Sequence, residues 1–289
     1  PGYHPGDIRG IRGGSMSKVV CYTKQCLPEE YDESTWYFEL FSIPAERYDN
    51  VGYVGNGFFQ ELKRSKITPS NKALDFVMIA MSVVAADKAI LRRYSPDGWT
   101  RRIELEIPLQ NAEEWDKVKE KLEKMLRFLS GDFWRLTFTK LSKNIDMGNF
   151  KEGKDKNCVC LLSGGMDSLV GGIDLCEAGE KPLFVAQTVR GDAVHQRQYA
   201  NALGEDNLCQ WSCYISKRGM SENTTRARSI VFFAFALLAS FGVSANEQGK
   251  KTIYVPENGF ISLNIPLDIL RSGSLSTKTT HPIYMKALQ

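Results

Sequence analysis

The stretch Ser163, Gly164, Gly165, Met166, Asp167 and Ser168 restricts what this chain can fold into more than any other. It follows a continuous apolar run at residues 158–162 and precedes residues 169–176, which carry helical spacing and end near Gly179. A buried strand that reaches two glycines lets backbone N–H groups approach an anion closely, because glycine takes backbone angles closed to other residues. The helix that follows directs its unsatisfied N–H groups and partial positive charge at the same point. Ser163 and Ser168 add hydroxyl donors. Asp167 conflicts with a bare polyphosphate, since like charges repel, and a bridging Mg²⁺ removes the conflict. No Gly-Lys-Ser/Thr follows, so this is not the Walker loop, and γ-phosphoryl transfer is not expected. The plainer reading is a helix-capping turn; the strand before and the helix after favour the anion-binding one.

The segments around the loop alternate. Residues 183–188 read as a second strand, 193–203 as a helix, 208–215 as a strand, 224–241 as a long apolar helix and 252–255 as a fourth strand. That order predicts a doubly wound parallel sheet, in which ligands bind beyond the carboxyl ends of the strands. Gln187 lies at such an end, where a purine or ribose would sit, and His195 and Arg197 follow it. Glu257 and Asn258 follow the fourth strand as candidate readers of a purine edge. Pro-Glu-Asn-Gly is also good β-turn chemistry, and both readings can hold. Arg226 and Arg228 open the long helix. Two residues apart they diverge by about 200° at roughly 3.6 residues per turn, so one of them, preferably Arg228, reaches the phosphates. Residues 271–281 contain six Ser or Thr with Arg271, Lys278 and His281. Composition makes this a loop, and its place after the ligand edge makes Arg271 and Lys278 candidate clamps for a substrate carboxylate or phosphate.

Before the polar boundary at residues 143–157, strand-like stretches (17–23, 36–41, 101–107, 134–141) mix with helices at 71–89 and at 111–129, the latter capped by Asn111 and stopped at Gly131. An α+β domain over 16–150, smaller in content than the sheet domain over 151–289, is expected. Residues 1–15, with five Gly and two Pro, read as an appended or linking segment with little to bury. The net charge of +3 over 289 residues gives no indication of nucleic-acid binding. No apolar run has the length of a membrane span, and a cytoplasmic protein is expected. Seven cysteines, several in apolar patterns, fit a reducing compartment; Cys209 and Cys213 stand alone as a pair and support no zinc site.

SGGMDS between VCLL and LVGGIDL resembles the PP-loop ATP pyrophosphatases, which share a Rossmann-like fold of the adenine nucleotide alpha hydrolase type. Within that group the chain is similar to the 7-cyano-7-deazaguanine synthases (QueC), and more closely to the QueC-like component, QatC, of anti-phage Qat systems. The likeness runs through Asp87, DGWTRRIELEIP at 97–108, FLSGDFWRLTF at 128–138, TTRARS at 224–229, PENGFISLNIPL at 256–267 and GSLSTKTTHP at 273–282. It implies an enzyme that binds ATP and Mg²⁺ through Ser163 to Ser168 with Gln187 and Arg228. Asp167, Ser168 and Lys278 are its expected catalytic residues, Asp167 also its metal ligand. His195, Arg197, Glu257, Asn258, Arg271 and Lys278 would hold a deazapurine carboxylate, which ATP adenylates with loss of pyrophosphate before a nitrogen nucleophile attacks. In the defence relatives a protein amine from a partner of the same operon is a possible acceptor. The synthases' zinc-binding cysteine cluster has no counterpart before Gln289; either the chain is incomplete or this branch dispenses with zinc. The alternatives are a tRNA-modifying PP-loop enzyme and a nucleotide-binding scaffold without chemistry.

Overall fold

The structure, a computed structural model, describes residues 16–45, 48–148, 155–188, 191–204, 206–224, 226–263 and 278–289, with the side chains of 260 and 261 left aside. Arg271 lies outside the described residues. In chain order the first elements are β1 (Ser17–Tyr22), β2 (Trp36–Leu40), β3 (Val51–Val54), α1 (Phe58–Arg64), α2 (Asn71–Ala89), β4 (Arg102–Leu109), α3 (Ala112–Asp116), α4 (Lys119–Ser130) and β5 (Phe133–Lys140). Then come β6 (Cys158–Leu161), α5 (Met166–Glu177), β7 (Pro182–Thr188), α6 (Asp192–Ala202), β8 (Leu208–Ser212), β9 (Ile215–Ser216), α7 (Arg228–Ser240), β10 (Thr252–Tyr254), α8 (Gly259–Leu263) and α9 (Pro282–Leu288).

Two compact units result. One comprises Pro1–Phe59, Asn71–Asp146 and Cys213–Val231; the other comprises Gln60–Ser70, Met147–Ser212 and Phe232–Gln289. The division is therefore not one cut near residue 150, since two short segments are exchanged between the halves.

The first unit holds a six-stranded sheet in the order β5-β4-β1-β2-β3-β9. Its β1–β2, β1–β4, β2–β3 and β4–β5 pairs are parallel, and β3–β9 is antiparallel. The expected α+β arrangement is corrected to α/β. Sequence reading missed β3, four residues long, and so missed the parallel succession β1-β2-β3 that it completes. Helix α2, buried on nearly every side, lies on β2, β3 and β4. Its Asp75 is fully buried and accepts the Gln110 and Asn111 N–H groups at 2.8 and 2.9 Å. The Asn111 side chain also donates to Asp75, at 2.8 Å, and so does not cap the next helix as its position suggested. That helix is two pieces, α3 and α4, and Gly131 ends the second in the left-handed conformation at φ 82°.

The second unit holds the sheet β10-β6-β7-β8, parallel throughout. Cys160, Leu162, Phe184 and Ala200 form the centre of a core closed by Leu175, Cys176, Tyr199, Leu203, Leu208 and Tyr254, so both α5 and α6 rest on the sheet. Trp211, at the end of β8, is fully buried, donates to Ser65 Oγ at 3.0 Å and meets Phe235 edge-on at 5.5 Å. The strand expected over 208–215 stops at Ser212, whose N–H is accepted by Glu61 at 2.7 Å, and residues 215–216 pair instead with β3. Among the described residues no helix is long and apolar enough to cross a membrane.

Candidate functional site

Strand order locates the site in the second unit. The chain leaves β6 through α5 to β7 and β8 on one side, and returns to β10 on the other. The crevice beyond the carboxyl ends of β6 and β10 is thus a topological switch point. The SGGMDS loop fills one wall of it and residues 255–258 approach it from the other.

The loop is held by its own hydroxyls. Ser163 Oγ accepts the Gly165 N–H at 3.3 Å and donates to Ser168 Oγ at 3.1 Å, and Ser168 Oγ donates to the Gly165 carbonyl at 2.8 Å. Ser168 is buried and its hydroxyl donates one bond and accepts one within this ring, which shapes the loop; the solvent-facing residues are Ser163, Gly165, Met166 and Asp167. Gly164 sits at φ +94°, a backbone region that favours glycine, and a Cβ there would meet Gln196 Cγ at 3.3 Å and Asp192 Cβ at 3.6 Å. Helix α5 begins at Met166 with Gly165 as its cap and no side-chain cap bond, which leaves its first-turn N–H groups directed at the crevice. Asp167 is exposed and makes no hydrogen bond or ion pair among the described residues.

The other expected residues divide. Gln187 is buried at the end of β7, next to the loop, where its backbone carbonyl shares a donor with that of Ser163. Glu257 and Asn258 follow β10; Glu257 Oε1 accepts the Asn258 N–H at 3.2 Å and Oε2 accepts the Thr280 hydroxyl at 3.4 Å. Ser262 also donates to the Thr280 carbonyl, at 2.8 Å, so residues 257–262 and 278–281 are joined, and half-buried Lys278 lies in that cluster. Gly171 of α5 faces Pro256: a Cβ at 171 would stand 2.5 Å from the proline ring.

His195 and Arg197 are exposed on α6, with His195 stacked on Tyr199 at 6.3 Å, and among the described residues neither makes a hydrogen bond or ion pair with the loop. Arg226 precedes α7 rather than lying within it. Its guanidinium donates to the Ser130 carbonyl at 3.1 Å and stands 4.5 Å over the Trp99 ring, which commits it to the first unit. Arg228 is the first residue of α7 and also belongs to the first unit, so the second unit by itself does not bring it to the loop.

Sequence reasoning passed over Gln196, which is fully buried and bonded to the loop, in favour of its charged neighbours. The signal was its spacing four residues before the buried Ala200, which marks the inward face of α6. Among the described residues no cluster of three or more His, Cys, Asp or Glu could hold a metal ion.

Fold and loop together define a class: an α/β protein with a glycine-rich loop at the switch point of a parallel sheet. Comparison with protein-family profiles, with curated proteins and with solved structures returned no significant match, and that class rests on the geometry alone.

Proposed function

We propose that the loop at 163–168 binds ATP and that the chain is an ATP pyrophosphatase of the QueC-like PP-loop type, with an adenine nucleotide alpha hydrolase-like sheet domain. The observation that carries this reading is the strand–loop–helix unit at the switch point, with an exposed carboxylate, Asp167, in the helix's first turn. A lone carboxylate beside a polyphosphate fits a divalent ion that the phosphates themselves largely hold, and Mg²⁺ is such an ion. Asp167 is the one residue assigned to it, and when bound it neutralises phosphate charge.

The chemistry proposed is activation of a carboxylate on a deazapurine. A carboxylate oxygen attacks the α-phosphorus, the bond between that phosphorus and the bridging oxygen to the β-phosphate breaks, and pyrophosphate leaves. An amine then attacks the acyl carbon, loses a proton, and AMP departs. The loop's N–H groups and the α5 N-terminus stabilise the charge that accumulates on the departing phosphates. Gln187, Glu257, Asn258 and Lys278 line the approach for base and substrate. A protein amine as acceptor, from a partner in a defence operon, is part of this proposal, as is action in the cytoplasm.

The test is release of AMP and pyrophosphate from ATP with Mg²⁺ and 7-carboxy-7-deazaguanine or 7-cyano-7-deazaguanine, beside Asp167→Ala. AMP that depends on both the deazapurine and Asp167 is expected. ATP binding without AMP under every condition would replace the enzyme by a nucleotide-binding scaffold.

A further inference from the structure

We infer that Gln196 is a positioning residue that aims the Gly164 N–H at the loop's anion, and that Gln210 fixes the orientation in which it does so. The inference deepens the ATP-binding reading of the loop and rests on it for the identity of the anion.

Gln196 is fully buried on α6 and uses both amide hydrogens: Nε2 donates to the Ser163 carbonyl at 3.0 Å and to the Gln187 carbonyl at 3.1 Å. Its Oε1 accepts from Gln210 Nε2 at 2.8 Å, and the second hydrogen of that amide goes to the Ala193 carbonyl at 3.1 Å. Each amide is therefore restricted to one orientation. A flipped Gln196 would set its oxygen against two carbonyl oxygens and its NH₂ against another. Holding the Ser163 carbonyl inward has a direct effect on the next atom pair. In a trans peptide the C=O of one residue and the N–H of the next point in opposite directions, so anchoring Ser163 O to a buried donor turns the Gly164 N–H outward. That N–H meets no acceptor among the described residues, whereas the Gly165 N–H is already taken by Ser163 Oγ. Gln196 Cγ is also the nearest atom to where a Cβ on Gly164 would stand, so one side chain both backs the glycine and orients its peptide.

Two substitutions test this. Gln196→Met keeps the volume and removes the donors. Gln210→Glu touches no loop atom but replaces the donor to Gln196 Oε1 with an acceptor, which draws the Gln196 NH₂ away from Ser163. Hydrogen exchange of the peptide spanning 163–169 is measured without nucleotide, ATP·Mg²⁺ affinity by calorimetry, and melting temperature alongside. Both variants are expected to exchange faster in that peptide and to bind ATP about tenfold more weakly or worse, with Gln210→Glu still folded. The double variant is expected to lose little more affinity than either single one, because both act through one amide. Should Gln196→Met fail to fold, Gln210→Glu carries the test alone. A lowered melting temperature with loop exchange and ATP affinity unchanged would mean that the amides only fill the core, and would overturn the inference. Faster loop exchange in a chain that binds no ATP even unsubstituted would uphold the positioning role and overturn the proposed function.

Discussion

Arg101 and Asp132 are bound to each other twice: the Arg101 guanidinium Nη2 lies 2.6 Å from Asp132 Oδ2, and the Arg101 backbone N–H donates to Asp132 Oδ1 at 3.0 Å. Both side chains are at most 1% exposed. Arg92 adds a two-pronged contact to the same carboxylate, with both distances 2.8 Å, and Asp87 pairs with Arg101 from the end of α2. The network ties α2, the 92–101 connection and the turn into β5. Asp132→Ala leaves two buried guanidiniums short of a carboxylate, and removing one member of such a buried pair costs about 3–5 kcal/mol. Chemical denaturation is expected to show that loss, with the m-value unchanged. A loss under about 1 kcal/mol, the scale of an exposed pair, would contradict the burial described.

The same carboxylate makes the first unit acid-sensitive. Burial by itself opposes the charge on Asp132, but the bonds and charges of Arg101 and Arg92 outweigh it and hold the group below the ordinary aspartate range. A group depressed in the folded state contributes stability that is fully present above its unfolded value, about 3.9, and is lost as pH falls through the folded value. Arg101 is shifted the other way: burial pulls it down, the two aspartates push it up further, and its contribution holds across the neutral range. Urea midpoints measured from about pH 7 down to about pH 3 are expected to fall most steeply below pH 4, and less steeply for Asp132→Asn. An equal slope for the two proteins would remove Asp132 from the acid response.

The alternation of strand and helix after residue 158 was readable because parallel strands buried on both faces appear as apolar runs, and β6 and β7 are such runs. The loop at 163–168 was equally readable, since Gly164 and Gly165 between a strand and a helix have few other uses. What stayed hidden depends on contacts remote in sequence. Nothing local distinguishes Asp75, whose partners lie 35 and 36 residues on, from an ordinary helix carboxylate. Nothing local showed that Arg226, the less favoured of the two arginines, is taken up by the ring of Trp99, 127 positions away. Gln196 carries no charge to draw the eye, and its value comes from two carbonyls supplied by separate strand ends.

The thiols should differ sharply in reactivity. Burial pushes Cys21, Cys160 and Cys213 up to about 12 and Cys158 up to about 11, which removes the thiolate that reacts, and it raises half-buried Cys176 as well. Cys26 is the exposed one of the seven. Titration of the native protein with an aromatic disulfide reagent near pH 8 is expected to give one fast equivalent, abolished by Cys26→Ser, with the remainder reacting only in denaturant. Any fast equivalent left in the Cys26→Ser protein would show that one of the covered thiols is reached in the native state.

Gly171 provides a test of the crevice that needs no assumption about chemistry. The bare Cα lets α5 lie against Pro256, and a methyl group there would stand 2.5 Å from the ring's Cβ and Cγ, closer than side chains tolerate. Gly171→Ala must therefore move either α5, whose N-terminus carries the loop, or the segment that leads from β10 to Glu257 and Asn258. Helix propensity favours alanine by up to about 1 kcal/mol, so a net loss means that the clash wins. Overpacking of this kind costs about 1–3 kcal/mol and, because it acts on both walls of the switch point, is expected to weaken ATP·Mg²⁺ binding in the same protein. Gly259→Ala is the control: it is also a helical glycine, the first residue of α8, but among the described residues nothing lies within 4 Å of its new methyl group. Melting temperature and calorimetric affinity should both fall for Gly171→Ala and hold for Gly259→Ala. If stability fell while affinity held, the two walls would be packed together without enclosing the nucleotide, and the ligand would have to be sought elsewhere along the carboxyl edge of the sheet.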